Sequence, residues 1–174
     1  MDLQYPIGKH QWGGEITDEQ RAQFIAQLEQ APAQLRQAVT GLTEEQVDTP
    51  YRPEGWTVRQ VVHHLPDSHM NTYIRFRLAL TEDEPTIKPY DQERWAALED
   101  ARRGPVGLSL ALFGSLHSRW VLLLRSLRTQ DFARTFRHPE MGVLTLEKYL
   151  SLVAWHGRHH IAHITSLRER MGWR

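Results

Sequence analysis

Apolar residues recur every three, four or seven positions in four long segments of this chain, and this spacing constrains the fold more than any other feature. Residues spaced in this way lie on one face of an α-helix. The first segment carries Phe24, Leu28, Leu35, Val39 and Leu42. No segment shows the convincing alternation of a strand. Four long amphipathic helices can bury their apolar faces against one another, so the sequence predicts an all-α fold, an antiparallel four-helix bundle.

Capping residues and helix breakers set the expected bounds of these helices. Residues 1–16 contain one proline and three glycines, and we expect an irregular lead-in there. The whole chain, residues 1–174, is expected to form a single domain. The predicted helices run from Thr17-Asp18 through Leu42 with a kink at Pro32, from Thr57 to about Leu80 with Pro66 inside, from about Val106 to Leu127, and from Leu146 to about Met171.

The connections between the helices contain shorter elements. One short helix is expected at Glu93–Leu98, and Thr43 starts a short helical turn. A helical turn at Gln130–Ala133 precedes an irregular or hairpin-like stretch around His138-Pro139 and Gly142. The buried face of the third long helix is predicted to consist of leucines, namely Leu108, Leu112, Leu116, Leu123 and Leu127.

Charge and composition narrow the classes of partner. The 21 basic and 21 acidic residues balance, so we expect no general attraction to nucleic acid or to anionic membranes. The N-terminus has no apolar signal segment, and no run approaches the roughly 20 apolar residues of a membrane span, so a cytoplasmic location is expected. The chain has no cysteine, so any transition metal must be held by imidazole and carboxylate groups.

Two histidine pairs on the last predicted helix have the spacing of metal ligands. Residues four apart lie one turn apart on the same face, so His156 with His160, or His159 with His163, could reach one ion. On a helical wheel His156 and His160 face away from the solvent side marked by Arg158, whereas the rival pair lies nearer the edge of the buried stripe. The spacing alone fits a buried, hydrogen-bonded pair equally well.

A third ligand has to come from another helix. On the second helix, His64 begins a polar stripe at helical spacing that continues with Ser68, Asn71 and Arg75, and a solvated helix face is the alternative interpretation. His63 points about 100° away from this stripe and is expected to be structural or exposed. The last helix lacks the glutamate of the H-E-x-x-H protease motif, because Gly157 occupies that position.

Several blocks of the sequence closely resemble the YfiT-type proteins of the DinB superfamily. They include Trp56-Thr-Val-Arg-Gln-Val-Val-His-His-Leu, Leu116-His-Ser-Arg-Trp and Trp155-His-Gly-Arg-His-His-Ile-Ala-His-Ile, with shorter matches at Tyr5, Asp48 and Lys88. The resemblance covers most of the chain and implies a four-helix bundle. It also implies a metal held by a histidine before leucine on the second helix and by an HxxxH pair on the last, which correspond here to His64, His156 and His160. Pro66 stands where relatives usually carry a small residue other than proline.

The resemblance implies a metal-dependent hydrolase that acts on a small-molecule substrate. The alternatives are a thiol S-transferase that uses a low-molecular-weight thiol such as bacillithiol, mycothiol or glutathione, and a non-enzymatic, stress-related metal- or ligand-binding protein. It also implies a homodimer. Three neutral imidazoles leave a coordination position open for water, as in catalytic zinc sites. Zinc is therefore the expected ion, with nickel, manganese or iron as alternatives.

Four further residues are predicted to support this site. Asp67 is a candidate hydrogen-bond acceptor near His64, because a ligand's second ring nitrogen needs a partner. Asn71 and Arg75 are assigned to binding an anionic or carbonyl group of the substrate, and Arg119 either serves the same cavity or forms an ion pair. His117 is expected to support the site or to lie in the core. His69, His138, His159 and His163 are expected to be structural or surface residues.

Overall fold

The computed structural model describes residues 2–173 and contains four long helices, so the predicted four-helix bundle is confirmed. The elements in chain order are α1 (Asp18–Val39), α2 (Glu44–Val47), α3 (Val58–Thr81), α4 (Gln92–Ala96), α5 (Glu99–Arg103), α6 (Val106–Ser126), a 3₁₀ turn (Thr129–Ala133), β1 (Thr135–His138), β2 (Gly142–Thr145) and α7 (Leu146–Met171). The strands β1 and β2 form an antiparallel hairpin.

Threonine caps fix where most of the helices begin. Thr17, Thr43 and Thr57 each form a capping box with a glutamine three residues later, in which each side chain bonds the other residue's backbone N–H. Thr145 caps α7 by accepting a hydrogen bond from the Lys148 backbone N–H. Gly172 ends α7 with φ +64°, a left-handed conformation that glycine adopts without steric cost.

Side-chain contacts between the long helices give their order and directions. Around the bundle the order is α1, α7, α3, α6, so α1 lies opposite α3. Near its start α1 contacts the start of α7 through the Arg21–Glu147 ion pair, and near its end Arg168 of α7 bonds the Ala38 carbonyl, so these two helices run parallel. The pair α3 and α6 is also parallel, whereas α3 runs antiparallel to α7.

The core falls into two apolar clusters with a polar layer between them. One cluster contains Phe76, Trp120 and Leu150, and the other contains Leu35, Leu65 and Ile164. His69, with no exposed surface, and His117, with 1% exposed, are buried at the middle of the bundle. Because a buried polar group needs a hydrogen-bond partner, the histidines of this layer constrain how the helices meet.

The predicted buried face of the third long helix is wrong. Leu108 is 69% exposed and Leu112 is 43% exposed, whereas Leu116, Leu123 and Leu127 are only partly buried. The residues that face the core are Leu110, Phe113, His117, Trp120, Val121 and Leu124. Leucines surround α6 on all sides, so several stripes had helical spacing and the leucine pattern alone did not identify the buried one. By length and hydropathy alone, α6 is also apolar enough to cross a membrane.

The connections fold over one end of the bundle. Arg59, at the start of α3, is buried and pairs with Glu44 and Asp48, which ties α2 to α3 on either side of the loop at residues 48–57. The same guanidinium donates a hydrogen bond to the Gly104 carbonyl at 2.9 Å. The short helix expected at Glu93–Leu98 corresponds to α4, and a second short helix that was not predicted, α5, follows it. These contacts hold the loop and the short helices beside the N-terminal half of α3.

Candidate metal centre

The structure brings His64 of α3 and His156 and His160 of α7 together. One imidazole nitrogen from each of the three lies within 4.8 Å of the other two. The Nε2 atoms of His64 and His156 are 3.3 Å apart, and the ring centroids of His156 and His160 are 4.5 Å apart. His64 lies near the start of α3, and His156 and His160, one turn apart, lie near the middle of α7 on the face that packs against α3. The His156/His160 pair therefore meets a third imidazole from a different helix.

The spacing and charge of this donor set fit a tetrahedral divalent ion. Zinc–imidazole bonds of about 2.05 Å at the tetrahedral angle place two donor nitrogens about 3.3 Å apart. The His64–His156 separation of 3.3 Å matches that edge. Burial lowers the pKa of His64 to about 4 and holds the pKa values of His156 and His160 well below 6.5. All three rings are therefore neutral at pH 7, which is the form that binds a metal.

The histidine cluster opens into a pocket of about 310 Å³. His156 and His160 line it, whereas His64 lies behind them and is buried. The pocket is also lined by Tyr51, Arg52, Glu54, Trp56, Glu93 and Trp155. The site thus has donor atoms on one side and solvent access on the other, so an ion held there would keep a coordination position facing the pocket.

Aromatic rings form the walls around the cluster. The Trp56 indole lies 4.8 Å from the His64 ring and 6.3 Å from the His160 ring, centroid to centroid. Its Nε1–H donates a hydrogen bond to Glu93 at 3.0 Å, which fixes the indole between the loop and α4. A large, hydrogen-bonded aromatic side chain therefore covers one side of the donor set.

The rival pair His159 and His163 is buried but has other partners. His159 stacks on Trp155 at 4.4 Å between centroids, and His163 stacks on Tyr51 at 4.0 Å. His163 also donates its Nε2–H to the Gln4 carbonyl at 3.0 Å. Both residues line the pocket beside the cluster, so they shape its wall.

The N-terminal lead-in contributes to the pocket, which the sequence pattern did not indicate. Tyr5 and Gln4 line it, and the Trp155 indole donates to the Gly8 carbonyl at 3.1 Å. Residues 2–16 form no helix or strand, but these bonds hold the segment along α7. A hint was present in Tyr5-Pro-Ile-Gly, one of the blocks that carried the family resemblance.

A chain of hydrogen-bonded rings leads away from the cluster into the core. His156 Nδ1 lies 3.3 Å from His69 Nε2, and His69 Nδ1 lies 2.8 Å from His117 Nε2. His117 Nδ1 then lies 2.6 Å from the Leu28 carbonyl oxygen. The sequence predicts a structural or surface role for His69, and a place in the site or the core for His117. Both rings lie on the buried faces of their helices, where an unpartnered ring is costly.

The structure gives the four predicted supporting residues other roles. Among the described residues, Asp67 makes no hydrogen bond to His64, and burial raises the pKa of its carboxyl group to about 6. Asn71 donates to the Asp67 backbone carbonyl at 2.8 Å, so it serves its own helix. The ligand whose second ring nitrogen has a histidine partner is His156, which bonds His69.

Arg75 and Arg119 do not line the pocket beside the cluster. Arg75 is buried and donates to the Tyr149 hydroxyl at 2.6 Å and to the Lys88 carbonyl at 3.1 Å. It lines a separate cavity of about 400 Å³ with Ser68 and His138. Arg119 is exposed on α6, because it lies about 200° around that helix from the buried His117. The helical wheel places Arg75 on the same face of α3 as His64, but Arg75 lies about three turns further along the helix.

Two other histidines have structural contacts. His63 donates its Nε2–H to the Gly104 carbonyl at 3.0 Å and lies 2.7 Å from the Ser109 hydroxyl, linking α3 to α6. His138 accepts hydrogen bonds at Nδ1 from the backbone N–H groups of Glu140 and Met141, which shapes the β1–β2 turn.

Known proteins are similar to this chain in sequence. Residues 27–164 match the model of the DinB superfamily. A protein of Bacillus mycoides strain KBAB4 named "putative metal-dependent hydrolase" is 56% identical, and one of the same name from Bacillus cereus strain B4264 is 55% identical, each over 99% of both chains.

Two solved structures are similar to this fold. YfiT from Bacillus subtilis, described as a probable metal-dependent hydrolase with an unusual four-helix bundle topology, is 53% identical with a TM-score of 0.97 over 100% of both chains. The four-helix bundle protein TT2238 is 20% identical with a TM-score of 0.57, covering 81% of this chain and 94% of its own, and shows the fold alone. Because the family match spans most of the chain and relatives more than half identical align along nearly all of it, the chain belongs to the DinB superfamily.

Proposed function

We propose that this protein is a zinc-dependent hydrolase of a small-molecule substrate, with His64, His156 and His160 as its three metal ligands. The observation that carries the proposal is the convergence of three neutral imidazoles, with the tetrahedral 3.3 Å separation of His64 and His156, beside an open pocket. The names of the relatives from Bacillus support the same class of activity.

When bound, a divalent ion at this site lowers the pKa of a coordinated water toward about 7 and polarises a substrate oxygen. The three histidines hold it, and the pocket orients the substrate. Trp56, fixed by Glu93, and the stacked pairs His159–Trp155 and His163–Tyr51 restrict how a substrate can enter. At about 310 Å³, the pocket admits a small molecule rather than a folded protein.

Two carboxylates that line the pocket are our candidates for a proton acceptor. Glu54 and Glu93 are the acidic side chains of the described residues that line the pocket, and Glu93 already accepts a hydrogen bond from Trp56. Gly157 leaves the last helix without the base of H-E-x-x-H zinc proteases, so a proton acceptor has to come from the pocket rim. Glu93→Gln retains an oxygen for the Trp56 indole but loses the basic carboxylate, so we expect turnover to fall without loss of metal.

The same donor set favours a thiol transferase as the second candidate. Three neutral imidazoles leave the charge of a divalent ion uncompensated, and a thiolate neutralises that charge as well as a hydroxide does. In that case the substrate pocket would hold a low-molecular-weight thiol and an electrophile.

Metal content and activity test the proposal together. We expect one zinc ion per chain by mass spectrometric metal analysis, and loss of it in His64→Ala, His156→Ala and His160→Ala. His138→Gln, a buried histidine outside this pocket, is the matched control and should retain the ion. Hydrolysis of a panel of simple esters and amides by the zinc-loaded protein supports the hydrolase. Conjugation of monochlorobimane to bacillithiol, with no hydrolysis, would replace it with the transferase, and inactivity in both assays would contradict an enzyme of either kind.

A further inference from the structure

The proline inside α1 leaves a backbone acceptor without its usual helical donor. In an α-helix the N–H of residue 32 would donate to the carbonyl of residue 28, but Pro32 has no N–H. His117, from α6, donates its Nδ1–H to the Leu28 carbonyl oxygen at 2.6 Å. A carbonyl oxygen can only accept, so this bond fixes the proton of the neutral His117 ring on Nδ1.

The direction of every following bond is determined by this first one. With its proton on Nδ1, His117 has a lone pair on Nε2 and accepts from His69 Nδ1 at 2.8 Å. His69 then has its lone pair on Nε2 and accepts from His156 Nδ1 at 3.3 Å. The proton of His156 is therefore on Nδ1, and its Nε2 lone pair faces His64 Nε2, 3.3 Å away.

The surroundings keep these rings in the neutral state that the chain requires. His69 has no exposed surface, and His117 has 1%. Burial lowers the pKa of His117 to about 4. A neutral histidine side chain in water favours the opposite tautomer, with its proton on Nε2. The chain thus imposes on His156 the tautomer that free histidine disfavours.

We propose that Leu28, His117 and His69 act as a tautomer lock that keeps the Nε2 lone pair of His156 available for the metal, and that Pro32 makes the lock possible by freeing the Leu28 carbonyl. His69 and His117 are then positioning residues. The inference rests on the proposed metal centre for its purpose, but the tautomer of His156 is a property of the metal-free protein.

The lock ends on a carbonyl rather than on a proton-exchanging group. A proton moved along the rings from His156 would have no acceptor beyond His117. The Nδ1 atom of His117 already carries a proton, which it donates in a hydrogen bond to the Leu28 carbonyl. The arrangement therefore orients a ligand and does not conduct protons. Hydrogen-bond partners of this kind contribute about 10- to 100-fold to metal affinity in other proteins.

Nitrogen-15 NMR of histidine side chains in the metal-free protein tests the lock directly. We expect His156 in the wild type to be protonated on Nδ1. His117→Leu removes the hydrogen bonds that His117 makes to Leu28 and to His69, so His156 should populate the Nε2-protonated form. Zinc affinity, measured by competition with a chelator, should fall about 10- to 100-fold. His117→Gln supplies an amide N–H for Leu28 and an amide oxygen for His69, so it should restore both readouts toward wild type. The control His138→Gln should change neither.

A second variant keeps the test decisive if His117→Leu does not fold. Pro32→Ala supplies the missing N–H to the Leu28 carbonyl and favours the helix, so it should fold, weaken the His117 bond and shift His156 in the same direction. Wild-type His156 protonated on Nε2, or a tautomer indifferent to both His117→Leu and Pro32→Ala, would overturn the lock. A wild-type protein that binds no zinc but retains the Nδ1-protonated His156 would refute the proposed function and leave the lock intact.

Discussion

Acid should destabilise the metal-free protein through its buried histidines, and His117 allows the effect to be isolated. Burial lowers the pKa of His117 from 6.5 to about 4 in the folded state. Because the folded pKa is depressed, the neutral ring contributes stability that is present above pH 6.5 and is lost as the pH falls through 4. One pKa unit corresponds to about 1.4 kcal/mol, so the full contribution is about 3 kcal/mol, of which about 2 kcal/mol is lost between pH 7.5 and pH 5.

Urea unfolding of wild type and His117→Gln, each treated with a chelator and measured at pH 7.5 and pH 5, checks this value. The substitution removes the titrating group while keeping hydrogen-bonding atoms, so the free-energy gap between the two proteins should narrow by about 2 kcal/mol at the lower pH. Ser118→Ala, an exposed neighbour on α6 that does not titrate, should follow the wild type at both pH values. A gap between wild type and His117→Gln that stays constant with pH would refute the reasoning.

Further predictions concern Asp67, Arg59 and the pocket rim. Burial raises the folded pKa of Asp67 from 3.8 to about 6, so the stability it contributes below pH 3.8 is lost as the pH rises through 6. Asp67→Asn should therefore stabilise the protein by about 1 to 2 kcal/mol at pH 8 in urea unfolding, after allowance for the solvent screening of this partly buried group, and the gain should shrink toward pH 4. Arg59→Met should lower the free energy of unfolding by about 2 to 3 kcal/mol because the Asp48 and Gly104 contacts are lost. Glu44→Gln should lower it by less than about 1 kcal/mol, since Glu44 is exposed. Equal losses in the two variants would contradict this ranking. Trp56→Phe should free the Glu93 carboxylate and change the KM of any substrate hydrolysed without changing zinc content, and loss of zinc in this variant would contradict its role as a wall.

The helix bounds could be predicted because the chain marks them locally. Threonine caps precede α1, α3 and α7, and the predicted α7, from Leu146 to about Met171, has the bounds that the structure shows. The sequence pattern did not identify the buried face of α6, because leucines surround this helix. The packing of α1 and α3 against α6 determines that Phe113, His117 and Trp120 are buried. The directions of the helices depend on the long connections at residues 82–105 and 127–145, and periodicity within a helix says nothing about them.

The site could be predicted only where its signals lie within a single helix. His156 and His160 lie on one helix, so their spacing was informative, and family resemblance supplied His64. The partnership of His69 with His156, and of His117 with Leu28, joins three different helices, and no pattern within one segment encodes it. Asp67 was a reasonable candidate by distance along the chain, but its carboxylate makes no bond to His64 among the described residues. The buried ring of His69, two residues further along α3, bonds His156.

A crystal structure of the zinc-loaded protein, with anomalous diffraction recorded above and below the zinc absorption edge, tests the central claim most directly. The account predicts a single anomalous peak within bonding distance, about 2.0 to 2.1 Å, of the Nε2 atoms of His64 and His156 and of one nitrogen of His160. A peak at His159 and His163, or zinc found only at surface sites with these three rings unbound, would contradict it.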